Sequence, residues 1–319
     1  MAANVPASPL EQPRLETATR RPRVTHRSAY YYLMPVAISA LVFTLIPFFY
    51  TLYISFTNYS LYNFREFGLV GWRNYANIFE SGSAFLPVLG WTVMWIGFGT
   101  IINVGGGMIL ALLLNHSGLR ERNVYRTILI IPWAVPLILL AQVWAGIFNS
   151  QGPLNLLLGQ IGINSVNWLN GVWSARAALL IMNFWFTYPF FMVVGLAALQ
   201  AIPRDLYEVA DLDGAGNWAR LRDITFPFLL TSIMPLLITQ VAFQFNNAGP
   251  ILLLTGGNPV AEPGANYGST DTLATYAYKL IYNLRIYGLA AAYSVVVFFI
   301  IAALTVFNAK VTRSFEEAS

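Results

Sequence analysis

The chain contains no cysteine. Disulfides, thiolate metal sites and cysteine nucleophiles are therefore excluded, and the redox compartment leaves no mark on the composition. Charge is almost as scarce: Asp, Glu, Lys and Arg together make up 10% of 319 residues, and there are two histidines, His26 and His116, too far apart to form a metal site. No GxxxxGK[ST] phosphate loop is present, so the chain cannot hold a nucleotide in that way. Hydrophobic residues reach 57%, which places the chain in the membrane class. The net charge of +4 does not point to nucleic acid, because most of the basic residues flank apolar runs.

Six runs are long enough to cross a bilayer core, which takes about 20 helical residues. They lie near 29–56, 89–114, 127–148, 177–202, 228–254 and 287–309, and none contains Lys, Arg, Asp, Glu or His. With the N-terminus in the cytoplasm, thirteen basic residues fall on the inner side and five, Arg65, Arg73, Arg176, Lys279 and Arg285, on the outer side. That bias predicts that both termini and the 203–227 segment face the cytoplasm. The expected organisation is an all-α membrane protein: a disordered tail over 1–28, a six-span domain over 29–309 with an inner loop at 203–227, and a short tail over 310–319. The first run is too long for a signal peptide and lacks a following cleavage site, so it is expected to be retained. The outer loops 57–88, 149–176 and 255–286 suggest ordered caps with short interfacial helices, and Tyr30, Tyr31, Tyr32 and Trp91 suit the aromatic belt at the membrane surface.

The segment from Pro203 to Pro227 concentrates charge, with three of the 18 basic and five of the 14 acidic residues. Pro203 and Asp205 suit a helix start, Leu206, Val209 and Ala210 give an apolar face, and Gly214 and Gly216 suit a stop. A second short helix is expected from about Asn217 to Thr225. The result is a helix, a glycine turn and a helix. Such a knob fits a partner's cleft, and a polar loop that merely stabilises the bundle has the same composition.

Uncharged polar residues occur inside the runs. Asn183, Thr187 and Phe190 share a helical face, and Gln240, Gln244 and Asn247 repeat the spacing. Two such stripes suit a cavity for sugar hydroxyls, which want amides and an aromatic face rather than charge. Amides that bond neighbouring helices would produce the same pattern. Gly105, Gly106 and Gly107 fit close helix packing better than a phosphate loop.

Glu208, Val209, Ala210, Asp211, Leu212, Asp213, Gly214 and Ala215, followed by Trp218, Leu221, Ile224 and Pro227, resemble the EAA loop of ABC-importer permeases. Val209 and Leu221 depart mildly from that pattern. The resemblance extends over all six spans and is greatest to maltose-type carbohydrate permeases, specifically the larger of their paired subunits. It implies the type I ABC-importer fold and a non-catalytic subunit that works with a second permease, a homodimer of ABC ATPases holding ATP and Mg, and an extracytoplasmic sugar-binding protein. It further implies ATPase coupling through Glu208, Ala210, Asp213, Gly214, Ala215 and Pro227. By the same resemblance, sugar contacts fall on Asn183, Phe186, Thr187, Phe190, Gln240, Gln244 and Gly249, and the helical spacing adds Asn247. Of those contact residues only the Asn at 183 is shared with the maltose permease; Thr187 and Phe190 stand where it has Gly and Tyr. The expected cargo is maltose or a maltodextrin.

Two other classes of membrane protein share this composition. Proton-coupled carriers commonly need an intramembrane Asp, Glu or His, and a membrane-embedded enzyme needs a buried constellation of acid, base and nucleophile. The six runs supply neither. An ion-coupled sugar carrier is the remaining alternative.

Overall fold

The structure, a computed structural model, describes residues 26–116 and 118–316. The expected tail over 1–28 lies largely outside the described residues, although His26 already opens the first helix. The chain divides into two units, residues 1–50 and 51–319. In the first, α1 (His26–Ala40) leads into a π-helical segment, Leu41–Leu45, and then into the first half of α2 (Ile46–Ser55), which continues past residue 50. Pro47 is the second residue of α2. A proline brings no N–H and crowds the preceding turn, and a π-turn just ahead of it takes up the misfit. Tyr30–Ser55 is long and apolar enough to cross a membrane, and Tyr30, Tyr31 and Tyr32 are exposed.

The second unit comprises α3 (Arg73–Phe79), α4 (Phe85–Leu114), α5 (Arg122–Ala134), α6 (Leu137–Ile147), α7 (Pro153–Gln160), α8 (Val172–Ala201), α9 (Arg204–Leu212), α10 (Asn217–Arg220), α11 (Phe226–Asn246), α12 (Gly249–Leu254), α13 (Leu273–Tyr282) and α14 (Tyr287–Glu316). Among the described residues there is no β-strand, only the isolated bridges Thr57–Leu69 and Val260–Gly268. Among the described residues five helices are long and apolar enough to cross a membrane, and α5 with α6 would make a sixth, bent by 96°. The sequence led us to expect an unbroken third span. Pro136 breaks it, because the residue before a proline is driven out of the helical region, and Val135 is extended at φ −83°, ψ 129°. The fifth run is also broken: α11 ends at Asn246, Asn247 turns away at φ −83°, ψ 88°, and α12 begins at Gly249. The last helix continues past 309 through Lys310 to Glu316.

Helices α4 and α8 form the centre and run parallel. An added Cβ on Gly99 would meet Gln244 and Asn183, one on Gly107 would meet Phe191, and one on Gly195 would meet Ala111, so each pairing of α4 with α8 steps along both helices by the same amount. Gly107 is required by contact: its missing Cβ would lie 2.5 Å from Phe191 Cβ and 2.9 Å from the Met192 backbone nitrogen. Gly106 is closed off by the Phe184 ring, whereas Gly105 has open space beside it. Two of the three consecutive glycines thus allow the helices to approach, and the third does not contribute.

The apolar core is layered along these helices. One cluster joins Trp95, Ile96, Leu179, Met182 and Phe245 to the loop end of the bundle through Ile251, Leu273 and Tyr293. A second holds Ala111, Leu114, Met192, Leu196, Leu199 and Leu229 near the elbow, with Val104, Phe191 and Ile233 beside it. Between them lies a layer of polar side chains.

Candidate functional site

The segment 203–227 folds as a helical elbow. Gly214 takes φ +74°, a conformation costly for other residues, and the turn closes with the Ala215 N–H donating to Ala210 O at 2.9 Å. The expected second helix is not separate. It runs from α10 through a π-helical segment, Leu221–Thr225, into α11 without interruption, with Pro227 just beyond the π-turns as Pro47 is in the first unit. The elbow is tied by Asp211 of the motif together with Arg220, Tyr207 and Thr225, which the sequence did not single out. Arg220 Nη1 lies 2.6 Å from Asp211 Oδ1. The Tyr207 and Thr225 hydroxyls hydrogen-bond at 2.9 Å, and the Thr225 hydroxyl lies 3.3 Å from Arg220 O as donor. Tyr207 packs on the elbow-end apolar cluster. No residue of α9 or α10 is buried: Leu206 and Val209 of the apolar face are exposed, and Leu212 and Trp218 are 88% and 73% exposed. Glu208, Asp213, Gly214 and Pro227 are exposed as well, with Ala210 and Ala215 half-buried.

At the other end, residues 255–272 wrap an ion pair. Asp271 is fully buried, with Lys279 Nζ 2.6 Å from Oδ2, the Gly268 N–H donating to Oδ2 at 2.7 Å and the Thr275 hydroxyl donating to Oδ1 at 3.0 Å. Burial holds this carboxyl above the usual carboxylate range, against the opposing pull of Lys279 and its other partners. Gly257, at φ +84°, lies directly over Asp271, leaving no room for a side chain. Trp91 was expected in the membrane-surface belt. It is buried instead, because its indole N–H donates to Thr270 O at 3.1 Å and its ring stacks beneath Arg176, whose other face meets Trp173. Arg176 Nε in turn donates to Ser269 O at 2.9 Å. The backbone bond of Leu273 N–H to the Thr92 hydroxyl completes the attachment of this loop to α4.

The polar layer lies between these ends. Asn183 and Gln244 are 1% and 2% exposed and converge on Gly99, where an added Cβ would lie 2.8 Å from Gln244 Nε2 and 3.6 Å from Asn183 Nδ2. Asn103, one turn further along α4, is fully buried, and Gln240 is one turn before Gln244 on α11. Among the described residues no hydrogen bond reaches the side-chain N and O of Asn103 or Asn183, Thr100 Oγ1, or the amide nitrogens of Gln240 and Gln244. Leaving each such atom unsatisfied costs about 1–3 kcal/mol, so this layer is an unfavourable packing solution for a protein of fixed shape. Of the other residues expected at the sugar, Phe186, Thr187, Phe190, Asn247 and Gly249 are half-buried. Asn247 does not extend the helical stripe of Gln240 and Gln244, because the helix has ended. The contribution of α4 was only partly visible from sequence. Asn103 stood as a lone amide, and Gly99 carries no polar atom to flag it.

The chain matches known proteins along most of its length. Residues 103–316 fit the family described as binding-protein-dependent transport system inner membrane component. GanP of Bacillus subtilis (strain 168), a galactooligosaccharides transport system permease protein, is 37% identical over 290 residues, covering 88% of this chain and 68% of its own. MdxF of the same organism, a maltodextrin transport system permease protein, is 33% identical over 301 residues, covering 90% and 69%. MalF of Escherichia coli (strain K12), a maltose/maltodextrin transport system permease protein, is 36% identical over 254 residues, with 76% of this chain and 49% of its own. This chain therefore spans about half the length of that relative. A chain from a bacterial ABC transporter involved in the import of the acidic polysaccharide alginate superposes with a TM-score of 0.77 at 24% identity, covering 90% of this chain and 96% of that one. The shared architecture is the type I ABC-importer permease fold. With its bundle of spans, its charged helical elbow and these matches taken together, the chain belongs to the family of inner-membrane components of binding-protein-dependent transport systems.

Proposed function

We propose that this chain is one of two permease subunits of an ATP-driven importer of neutral oligosaccharides, with maltose or a maltodextrin as the preferred cargo. The carrying observation is the amide layer. Five uncharged polar residues on three helices carry buried side-chain atoms with no hydrogen-bond partner among the described residues, and sugar hydroxyls are both donors and acceptors that such groups can satisfy. No Lys or Arg accompanies them, which disfavours an acidic sugar polymer. Relatives named for maltodextrin and galactooligosaccharide transport support the neutral class.

In this reading Asn183, Gln240 and Gln244 bind sugar when α4, α8 and α11 separate, and Phe186, Thr187, Phe190, Asn247 and Gly249 form the accessible rim. The elbow faces the cytoplasm, and Glu208, Ala210, Asp213, Gly214 and Ala215, with Pro227 closing the loop, engage one of two ATPases that bind ATP and Mg. Its unburied Leu212 and Trp218 supply the apolar contact such docking needs. A sister permease and an extracytoplasmic sugar-binding protein complete the assembly. A conformational change in the ATPases biases the bundle only through differential contact with its two states, and a clasped elbow can transmit that difference.

Uptake competition in proteoliposomes with maltose, maltotriose, trehalose and a galactooligosaccharide tests the cargo, and Asn183→Ala and Gln244→Ala test the site. Competition by maltose and maltotriose, with uptake lost in both variants, is expected. Wild-type uptake in both variants would remove the amides from the sugar path.

A further inference from the structure

At the elbow end of the second unit three cavities run together. The first, about 730 Å3, is an apolar groove along the last turns of α4, between Ile109 and Leu113 on one side and Tyr125 and Leu129 of α5 on the other. It shares Leu112 and His116 with a second cavity of about 450 Å3. That cavity shares Asn115, Leu199 and Tyr207 with a third, about 750 Å3, where Arg122 and Arg204 stand beside Gln200. Among the described residues no acidic side chain lines any of the three. Arg220, in the middle cavity, is paired with Asp211. Three salt bridges are formed among the described residues, and Arg122 and Arg204 take part in none.

The position of the two free arginines sharpens the point. Arg122 is the first residue of α5 and Arg204 the first of α9; Glu121 at the N-cap of α5 and Asp205 in the first turn of α9 are near them in sequence but form no salt bridge with either among the described residues. A cation at the positive end of a helix dipole is unfavourable alone and favourable beside an anion, which the free N–H groups of the same turn also attract. The apolar groove opens on the flank of a membrane-spanning helix, where Ile109 and Leu113 are exposed. A ligand that fills both parts has a hydrocarbon tail and an anionic head.

We propose that this continuous cleft is a binding site for an anionic phospholipid. One acyl chain lies along Ile109, Leu113 and Leu129, and the phosphate is held between Arg122 and Arg204. Asn115, Gln200 and Tyr207 offer hydrogen bonds to the glycerol end of the head group. The site joins the membrane to Tyr207, one of the residues that clasp the elbow, so lipid occupancy stiffens the element that engages the ATPase. The assignment to the inner leaflet rests on the proposed orientation; the binding itself does not.

The test uses the chain purified in detergent with its co-purifying subunits, followed by native mass spectrometry during titration with phosphatidylglycerol, phosphatidylcholine, dihexanoyl phosphatidylglycerol and inorganic phosphate. Long-chain phosphatidylglycerol is expected to bind over phosphatidylcholine, with the short-chain form weaker. Arg122→Gln and Arg204→Gln are each expected to weaken binding about fivefold, and the Lys variants to retain most of it. Equal binding of phosphatidylglycerol and phosphatidylcholine, or unchanged binding in the Gln double variant, overturns the proposal. Inorganic phosphate competing as well as the long-chain lipid overturns it in favour of a free-anion site. Should the double variant fail to assemble, the lipid series on the wild-type assembly decides alone. Detergent removes the leaflets, so failure here is separate from failure of the orientation, which protease cleavage at the elbow in sealed vesicles reads independently.

Discussion

Arg220 on the second limb of the elbow reaches back across the glycine turn to Asp211 on the first, its Nη1 2.6 Å from the carboxylate oxygen. The Tyr207 to Thr225 bond lies beside it, so the two limbs are joined at two points although neither is buried. A half-exposed ion pair contributes only about 0–1 kcal/mol to stability, and its greater consequence here is geometric.

Asp211→Ala and Arg220→Ala are therefore expected to leave the melting temperature of the assembly within about 2 °C of wild type. Sugar moved per ATP hydrolysed should fall several-fold in proteoliposomes. The exchanged pair, Asp211→Arg with Arg220→Asp, should recover much of the coupling. Full coupling in both single variants would show that the elbow needs no clasp.

Gly107→Ala and Gly105→Ala separate close packing from helix propensity. A Cβ at 107 meets the Met192 backbone nitrogen at 2.9 Å, which cannot move without shifting α8, whereas a Cβ at 105 meets nothing within 4 Å. Gly107→Ala should destabilise by about 1–3 kcal/mol. Gly105→Ala should be neutral or stabilise by up to about 1 kcal/mol. Thermal denaturation of the purified assembly distinguishes them, and equal effects would contradict the observed helix contact.

Replacing Asn103 by Leu swaps an unpartnered amide for an apolar side chain with the same branching and number of heavy atoms. Stability should rise by about 1–2 kcal/mol while uptake falls. If the amide served only to join helices, the same substitution would lower stability, so the sign of the melting shift decides between a sugar-facing and a structural role.

The buried pair at the loop end makes a prediction about pH. Burial raises the Asp271 carboxyl above its ordinary value of 3.8, so protonation is favoured in the folded state. The contribution of this group to stability is therefore fully present below 3.8 and declines as pH rises through the raised folded value. The melting temperature of wild type, compared with Asp271→Asn, should fall across that window. Removing one partner alone at neutral pH, as in Lys279→Met, should cost about 3–5 kcal/mol, and the double variant Asp271→Asn with Lys279→Met should lie closer to wild type. Additive losses would show that the two side chains do not act as a pair.

Much of the fold could be read in advance because charge-free runs of spanning length leave few alternatives, and the clustered charges of 203–227 marked the elbow. What escaped the sequence were interruptions and contacts. Pro132 lies within α5 and Pro136 ends the adjacent turn, and periodicity does not say which proline a helix absorbs and which breaks it. Asn247 fitted a helical stripe by spacing, yet the chain leaves the helix there. Trp91 had the position of a surface aromatic, but its partner Thr270 lies far away in sequence. The amide layer was half visible: Asn183, Gln240 and Gln244 announced themselves, while the bare surface of Gly99 that receives them had no signature.

The fixed register of α4 against α8 limits how the chain can change in length. A single residue inserted between Gly99 and Gly107 would rotate everything on one side of it by about 100°. Asn103 or the Gly107 notch would then turn towards lipid, and no side-chain adjustment would return it. Insertions and deletions are thus confined to the connections between helices, whereas the central pair can vary in sequence only at constant length.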